Sequence, residues 1–154
     1  MQLTATQDIE APRQQVFDLL SDVDAHLARL TARGVDVAHV SPPGAGALRA
    51  WRGTFDLRDK PREAVVRLTA LEPPARMVFE WESGGLHGRT ELNLEAPTEA
   101  TTQATMDTTL LPQTLSARLL VQSLKLGRGK IENRIGERMA EAATEIEKRT
   151  RDAG

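Results

Sequence analysis

The chain has no cysteine and no tyrosine, and its ring residues are two tryptophans and three phenylalanines, 3% of 154 residues. Without cysteine there is no disulfide, no thiolate zinc site and no thiol nucleophile, a composition suited to a reducing compartment. Without tyrosine, ring surface is confined to Trp51, Trp81, Phe17, Phe55 and Phe79, so any pocket is lined mainly by Leu, Ile, Val, Met, Ala and Thr. Long apolar runs are missing as well: none nears the roughly 18 residues that span a bilayer. The first residues, MQLTATQDIEAPRQQ, lack the basic start and apolar core of a secretory signal. The expected location is cytoplasmic, with no stable membrane insertion. An excess of either sign of charge is also absent. Twenty basic against 22 acidic residues leave a net charge of −2, and so no overall field to draw nucleic acid or an anionic membrane.

What is present fits one domain over residues 1–154, with an expected radius of gyration of about 15 Å. Leu3, Ala5 and Ile9 alternate with polar Thr4, Thr6, Asp8 and Glu10, the pattern of a half-buried strand that Gln7 interrupts. Pro12 stands where a first helical turn tolerates a missing N–H, and Val16, Phe17, Leu19 and Leu20 give that helix its apolar face. Ser21 and Asp22 supply caps before a second short helix over about 23–32, with Gly34 as its stop. From Val35 the chain is punctuated by turn signals, PPGAG, DKP, PP, SGG and PTE. They separate expected strands at about 35–41, 47–58, 62–72, 76–83, 86–96 and 100–111. Connections this short make consecutive strands antiparallel neighbours. In the fifth strand Met77, Phe79 and Trp81 oppose Val78, Glu80 and Glu82; in the seventh Ala104, Met106, Thr108 and Leu110 oppose Gln103, Thr105, Asp107 and Thr109. One face is expected to be concave and apolar, the other wet.

After Pro112 the apolar period becomes helical, through Leu115, Leu119, Leu124, Ile131, Ile135, Met139, Ala142 and Ile146. A straight helix over about 113–149 would be about 55 Å long, against a domain diameter of about 40 Å, so it must break. Gly127 and Gly129 are the natural hinge, each weakening a helix by about 1 kcal/mol relative to Ala. A gate helix over about 114–126 and a packing helix over about 130–149 are expected. Leu115 to Leu126 carries more apolar surface than one helical face requires.

No catalytic constellation is evident. His26, His39 and His87 lie on different elements, without metal-binding spacing. Glu80 and Glu82 share a strand face opposite Met77, Phe79 and Trp81, so they point to water. Asp56 and Asp59 flank a turn. No G-x-S-x-G elbow occurs. Gly127-Arg128-Gly129-Lys130 lacks phosphate-loop spacing and follows a helix pattern. Lys130, Arg134 and Arg138 recur at i,i+4, but Glu132, Glu137, Glu141 and Glu145 intersperse them, as on a solvated face rather than a nucleic-acid surface.

Three features, IEAPRQQVFDLLSDVD after the first strand, LTALEPPARMVFEW in the middle and the long amphipathic helix at the end, resemble the START-like superfamily of polyketide cyclase/dehydrase and lipid-transport proteins, the SRPBCC or helix-grip fold. The resemblance covers essentially the whole chain. It implies an α+β fold: a seven-stranded antiparallel sheet curved around a long C-terminal helix, two short helices between strands 1 and 2, and a pocket between sheet and helix. Members include lipid and hydrophobic-metabolite carriers, aromatase/cyclases, ATPase-stimulating co-chaperones and proteins that bind partners through the cavity. Cyclases of this fold place polar and aromatic groups, often Tyr and Arg, in the pocket, and the absence of Tyr departs from that pattern.

The expected function is therefore non-catalytic binding of a hydrophobic or amphipathic small molecule, lipid or polyketide-like, without metal or cofactor. The expected lining comes from Trp51, Phe55, Phe79 and Trp81 on the middle strands and from Met106, Thr108 and Leu110 on the last. Leu115 and Leu119 on the gate, with Ile131 and Ile135 on the packing helix, complete it. Thr108, Arg52 and His87 are the candidates for orienting a polar group. Two alternatives of other classes stand beside this reading. One is a polyketide cyclase/dehydratase-type enzyme, which needs a titratable group in the cavity. The other is a protein-interaction module that uses the cavity or the Leu115–Leu126 gate for a partner or a second copy.

Overall fold

In the computed structural model, which describes residues 1–57 and 59–153, β1 (Gln2–Ile9) leads through α1 (Arg13–Ser21) and α2 (Val23–Ala32) into six further strands. These are β2 (Asp36–His39), β3 (Arg49–Leu57), β4 (Lys60–Glu72), β5 (Arg76–Ser83), β6 (Leu86–Thr98) and β7 (Thr101–Pro112), followed by α3 (Leu115–Leu126) and α4 (Arg128–Ala153). Arg58, which closes the expected 47–58 strand, and Gly154 lie outside the described residues. The seven strands form one antiparallel sheet in the order β1-β7-β6-β5-β4-β3-β2. The short connections make sequence neighbours pair, and β1 closes beside β7. This is the helix-grip arrangement expected from the sequence, with two short helices after the first strand and a long one at the end.

The differences have local causes. β6 runs through Pro97 to Thr98, where the sequence signals a turn, because the register shifts between Glu95 and Thr98 and a bulge tolerates a proline that cannot donate to the ladder. Gly127 alone separates α3 from α4, its N–H donating to Leu124 O at 3.0 Å while Ile131 N–H already donates to Gly127 O at 3.1 Å. Gly129 therefore lies within α4, not in the hinge. Strand alternation puts Val78 on the wet face, yet it is 2% exposed. Its same-face neighbours Arg76 and Glu91 close an ion pair of 2.7 Å beside it, and Arg76 also bonds Glu72. The Arg76 guanidinium holds the Glu91 carboxyl below the usual carboxylate range.

The strand-to-helix elbow after β1 is set by packing and one buried bond. Val16 and Phe17 of α1 enter a core with Ile9, Met77, Leu94, Ala104, Met139, Ala143 and Ile146. Thr102 Oγ1, on a side chain 1% exposed, donates to Ala11 O at 2.7 Å. Thr102→Val keeps the shape and strands that carbonyl. It is expected to destabilise the fold by about 1–3 kcal/mol, read as a lower urea midpoint at unchanged slope.

α4 is placed by its acidic side chains as well as its apolar stripe. Glu132 Oε2 accepts from Thr4 N at 3.1 Å, a donor the edge strand leaves free, and Glu147 Oε2 from Glu10 N at 2.8 Å, just past the strand's end, so the helix lies along the outer edge of β1. Its Ile135–Met139–Ile146 stripe then faces the concave side of the sheet.

Candidate ligand-binding site

Among the described residues, apolar cavities line the concave face at two places. Register decides which side chains reach them. On the sheet, Ala5, Met106, Leu92 and Met77 are cross-strand partners in one row, and Gln7, Ala104 and Leu94 in the next. α4 passes over these rows, presenting Arg134, Ile135, Arg138, Met139, Ala142 and Ile146 at helical spacing. The space between, closed at one end by Leu20 of α1, has a volume of about 440 Å³, within the usual range for small-molecule sites. Its wall is almost wholly apolar, so Arg134 and Arg138 contribute their alkyl stems and carry their charges at the rim. Gln7 is the other polar residue.

The second cavity, of about 380 Å³, lies under α2. Val23, Leu27 and Leu30 form the α2 roof at i, i+4, i+7, over Val37, Trp51, Phe55, Val66 and Phe79 of β2 to β5. Phe79 also packs against the core that includes Ile9, Met139 and Ile146, so it borders the surroundings of both cavities. α2 buries no residue fully and is fastened by Asp24, whose carboxylate accepts from Arg49 Nη2 at 3.1 and 3.3 Å and lies 3.4 Å from His39 Nε2. Arg49 and His39 flank Trp51, the guanidinium carbon 5.1 Å from the ring centre and the imidazole 6.1 Å away. Trp51 is 3% exposed, and its indole N–H has no hydrogen-bond partner among the described residues.

Of the residues expected in one pocket, the fold brings Trp51, Phe55 and Phe79 to the second cavity and Met106 and Ile135 to the first. Trp81, Leu110 and Ile131 instead pack in a separate cluster with Leu3, Leu86, Ala117 and Val121. Thr108, 9% exposed, shares a hydrogen bond of 3.0 Å with Thr90, which also accepts Trp81 Nε1–H at 3.3 Å, so its hydroxyl is already engaged. Leu115 and Leu119 are not at either cavity. The inward stripe of α3 is Ala117, Val121 and Leu124, and the helical period turns Leu115 and Leu119 away from it. Arg52 and His87 lie on the convex face, paired to Glu63 at 3.1 Å and Glu82 at 3.3 Å, and do not line either cavity. The α4 rim, Leu92 and the α2 roof join the site only in the fold. The i,i+4 recurrence of Arg134 and Arg138 beside Ile135 and Met139 is the sequence signal for the rim.

Chemically, the described residues of the two cavity walls carry no carboxylate, imidazole, hydroxyl or amine. His26, with Asp22 and Glu145, borders a recess of only about 50 Å³ beside α1, and its Nε2 lies 3.2 Å from Leu19 O. Among the described residues no group of three His, Asp or Glu is placed to hold a metal ion.

Residues 1–147 match the profile of a family described as polyketide cyclase / dehydrase and lipid transport. Among solved structures, the chain is similar to the Zhui aromatase/cyclase of Streptomyces sp. R1128, with a TM-score of 0.71 at 16% identity over 100% of this chain and 98% of that one. Norcoclaurine synthase from Thalictrum flavum gives 0.67 at 12% over 95% and 85%. A protein from Thermus thermophilus gives 0.64 at 16% over 100% and 99%. These likenesses are ones of fold. No curated protein sequence matches the chain.

Proposed function

Starting from the fact that this chain belongs to the polyketide cyclase / dehydrase and lipid transport family, we propose that it holds an apolar small molecule with an acidic group, without chemistry, between α4 and the β1–β7–β6 face. The observation that carries the reading is the pairing of an apolar cavity of about 440 Å³ with Arg134 and Arg138 at its rim and no acid in its wall. Burial of about 400 Å² of ligand surface at about 25 cal/mol per Å² gives about 10 kcal/mol gross. An association cost of about 4 kcal/mol, the low end of its range, leaves about 6 kcal/mol, so the Kd is on the order of tens of micromolar at the tightest. Arginine stays protonated at any physiological pH and presents a planar donor fork to a carboxylate.

An enzymatic reading, the other half of the family's description, needs a group that takes or gives a proton near neutral pH within reach of the ligand. The residues lining these cavities favour carriage instead.

The acidic group is tested by comparing dodecanoate with dodecanol. In the Arg134→Gln, Arg138→Gln variant, affinity for dodecanoate is expected to fall about 3- to 10-fold, the worth of two rim ion pairs, while dodecanol binding changes by less than about twofold. Equal losses for both, or none for either, would remove the arginines from ligand recognition. Failure of wild type to bind either would sink the reading itself.

A further inference from the structure

α3 is built in an unusual way for a helix on a soluble domain. Its inward stripe, Ala117, Val121 and Leu124, is packed on β7 and β6. Diametrically opposite, at helical positions that ordinarily carry charge, stand Leu115, Leu119 and Leu126, which are 73%, 64% and 93% exposed. Leu120 on the flank is half exposed. None of these leucines lines a described cavity or joins a core cluster. The charge around them is one-sided. Between Asp107 and Glu132 the chain holds Arg118, Lys125, Arg128 and Lys130 and no acidic residue, although the whole protein carries −2. Arg128 pairs with Glu132, whereas Arg118, Lys125 and Lys130 have no carboxylate within ion-pair distance among the described residues.

We propose that α3 docks the protein on an anionic lipid surface, its outer leucines entering the headgroup boundary while Arg118 and Lys125, with Arg128 and Lys130 at the start of α4, meet lipid phosphates. An outer apolar stripe with a basic flank, here Arg118 and Lys125, is the pattern of an interfacial helix lying in the membrane plane. At 12 residues α3 is about 18 Å long, and no described helix is long and apolar enough to cross a bilayer, so the association is peripheral and reversible. Charge decides against a second copy as the occupant. Pairing two α3 faces would bring Arg118 and Lys125 of one chain close to those of the other, and α3 carries no acid to offset them. A lipid surface supplies the missing anions. Net charge concealed this feature, because the acids that cancel it lie elsewhere in the chain. The outer face of α3 lines neither cavity, so this docking is independent of what the cavities hold.

The test is co-sedimentation with vesicles of phosphatidylcholine alone and of phosphatidylcholine with a quarter phosphatidylglycerol, with size-exclusion chromatography of the free protein alongside. Wild type is expected to sediment with the anionic vesicles, to stay in solution with the neutral ones, and to be released as salt is raised. Leu115→Ser, Leu119→Ser and, separately, Arg118→Glu, Lys125→Glu are each expected to lower the bound fraction at least about fivefold. These side chains are on the surface, so an unchanged thermal melt accompanies the loss. Wild type that stays in solution with both vesicles, or variants that bind as wild type does, would overturn the proposal. So would a dimer that dissociates on the leucine substitutions and ignores vesicles, which would make a second copy the occupant.

Discussion

Replacing Gly88 with alanine is expected to destabilise the protein by about 3 kcal/mol, a fall in Tm of roughly 6–12 °C for a chain of this size. Gly88 is a buried β6 residue directly opposite Trp81 of β5. A Cβ there would lie 2.1 Å from both Cε2 and Cζ2 of the indole, so the ring must leave. Trp81 has little freedom to do so: it donates to Thr90 Oγ1, which in turn is bonded to Thr108, and it packs against the cluster that joins β7 to α3. In an open strand position the same substitution would favour folding by about 0.5–1 kcal/mol, because glycine loses more backbone freedom. The clash decides the sign. A double-mutant cycle separates the two effects. Trp81→Ala alone should cost about 3 kcal/mol. In that background Gly88→Ala should become neutral or stabilising by up to about 1 kcal/mol. A penalty that persists without Trp81 would show that the glycine answers to something else.

The second large effect is on binding. Ala142 lines the first cavity from α4 yet is itself exposed, so a tryptophan can be built there into the cavity without disturbing the core. Ala142→Trp is expected to weaken dodecanoate binding about 100-fold. Withdrawing about 110 Å² of ligand surface at about 25 cal/mol per Å² costs about 2.7 kcal/mol, which is that factor. Thermal stability should change by less than about 1 kcal/mol, as for most surface substitutions. Ala140→Trp, two residues earlier and on the far side of the helix, is the control and should bind as wild type does. Retained affinity in Ala142→Trp would mean that the ligand sits elsewhere, under α2 or on α3.

Much of the fold is legible in the sequence because its signals are local. The alternation around Leu3 and Ile9, Pro12 at a helix start, Asp22 as the α2 cap accepting from Ala25 N at 3.3 Å, and Gly34 at φ +92 each act within a few residues. The site is less legible, because it depends on register and on where α4 comes to rest. Met106 and Ile135 share the first cavity only because β7 pairs with β1 and because Glu132 and Glu147 fasten α4 along that strand. Trp81 reads from sequence like Phe79, two residues away on the same face. Gly88 instead offers it a flat backbone to lie on, and the ring turns into the α3 core. Leu115 and Leu119 are indistinguishable from core leucines until the packed stripe of α3 is known. Arg134 and Arg138 read as a solvated stripe because periodicity does not tell rim from open surface.

The four methionines offer the most direct measurement. Met106 and Met139 line the first cavity, whereas Met1 lies at the far end of β1 beside the second core cluster. In a carbon-detected methyl spectrum of protein labelled at methionine, stoichiometric dodecanoate is expected to shift the Met106 and Met139 signals together and leave Met1 in place. A saturated titration in which neither cavity methionine moves, or in which Met1 alone responds, would contradict a ligand held between α4 and the sheet.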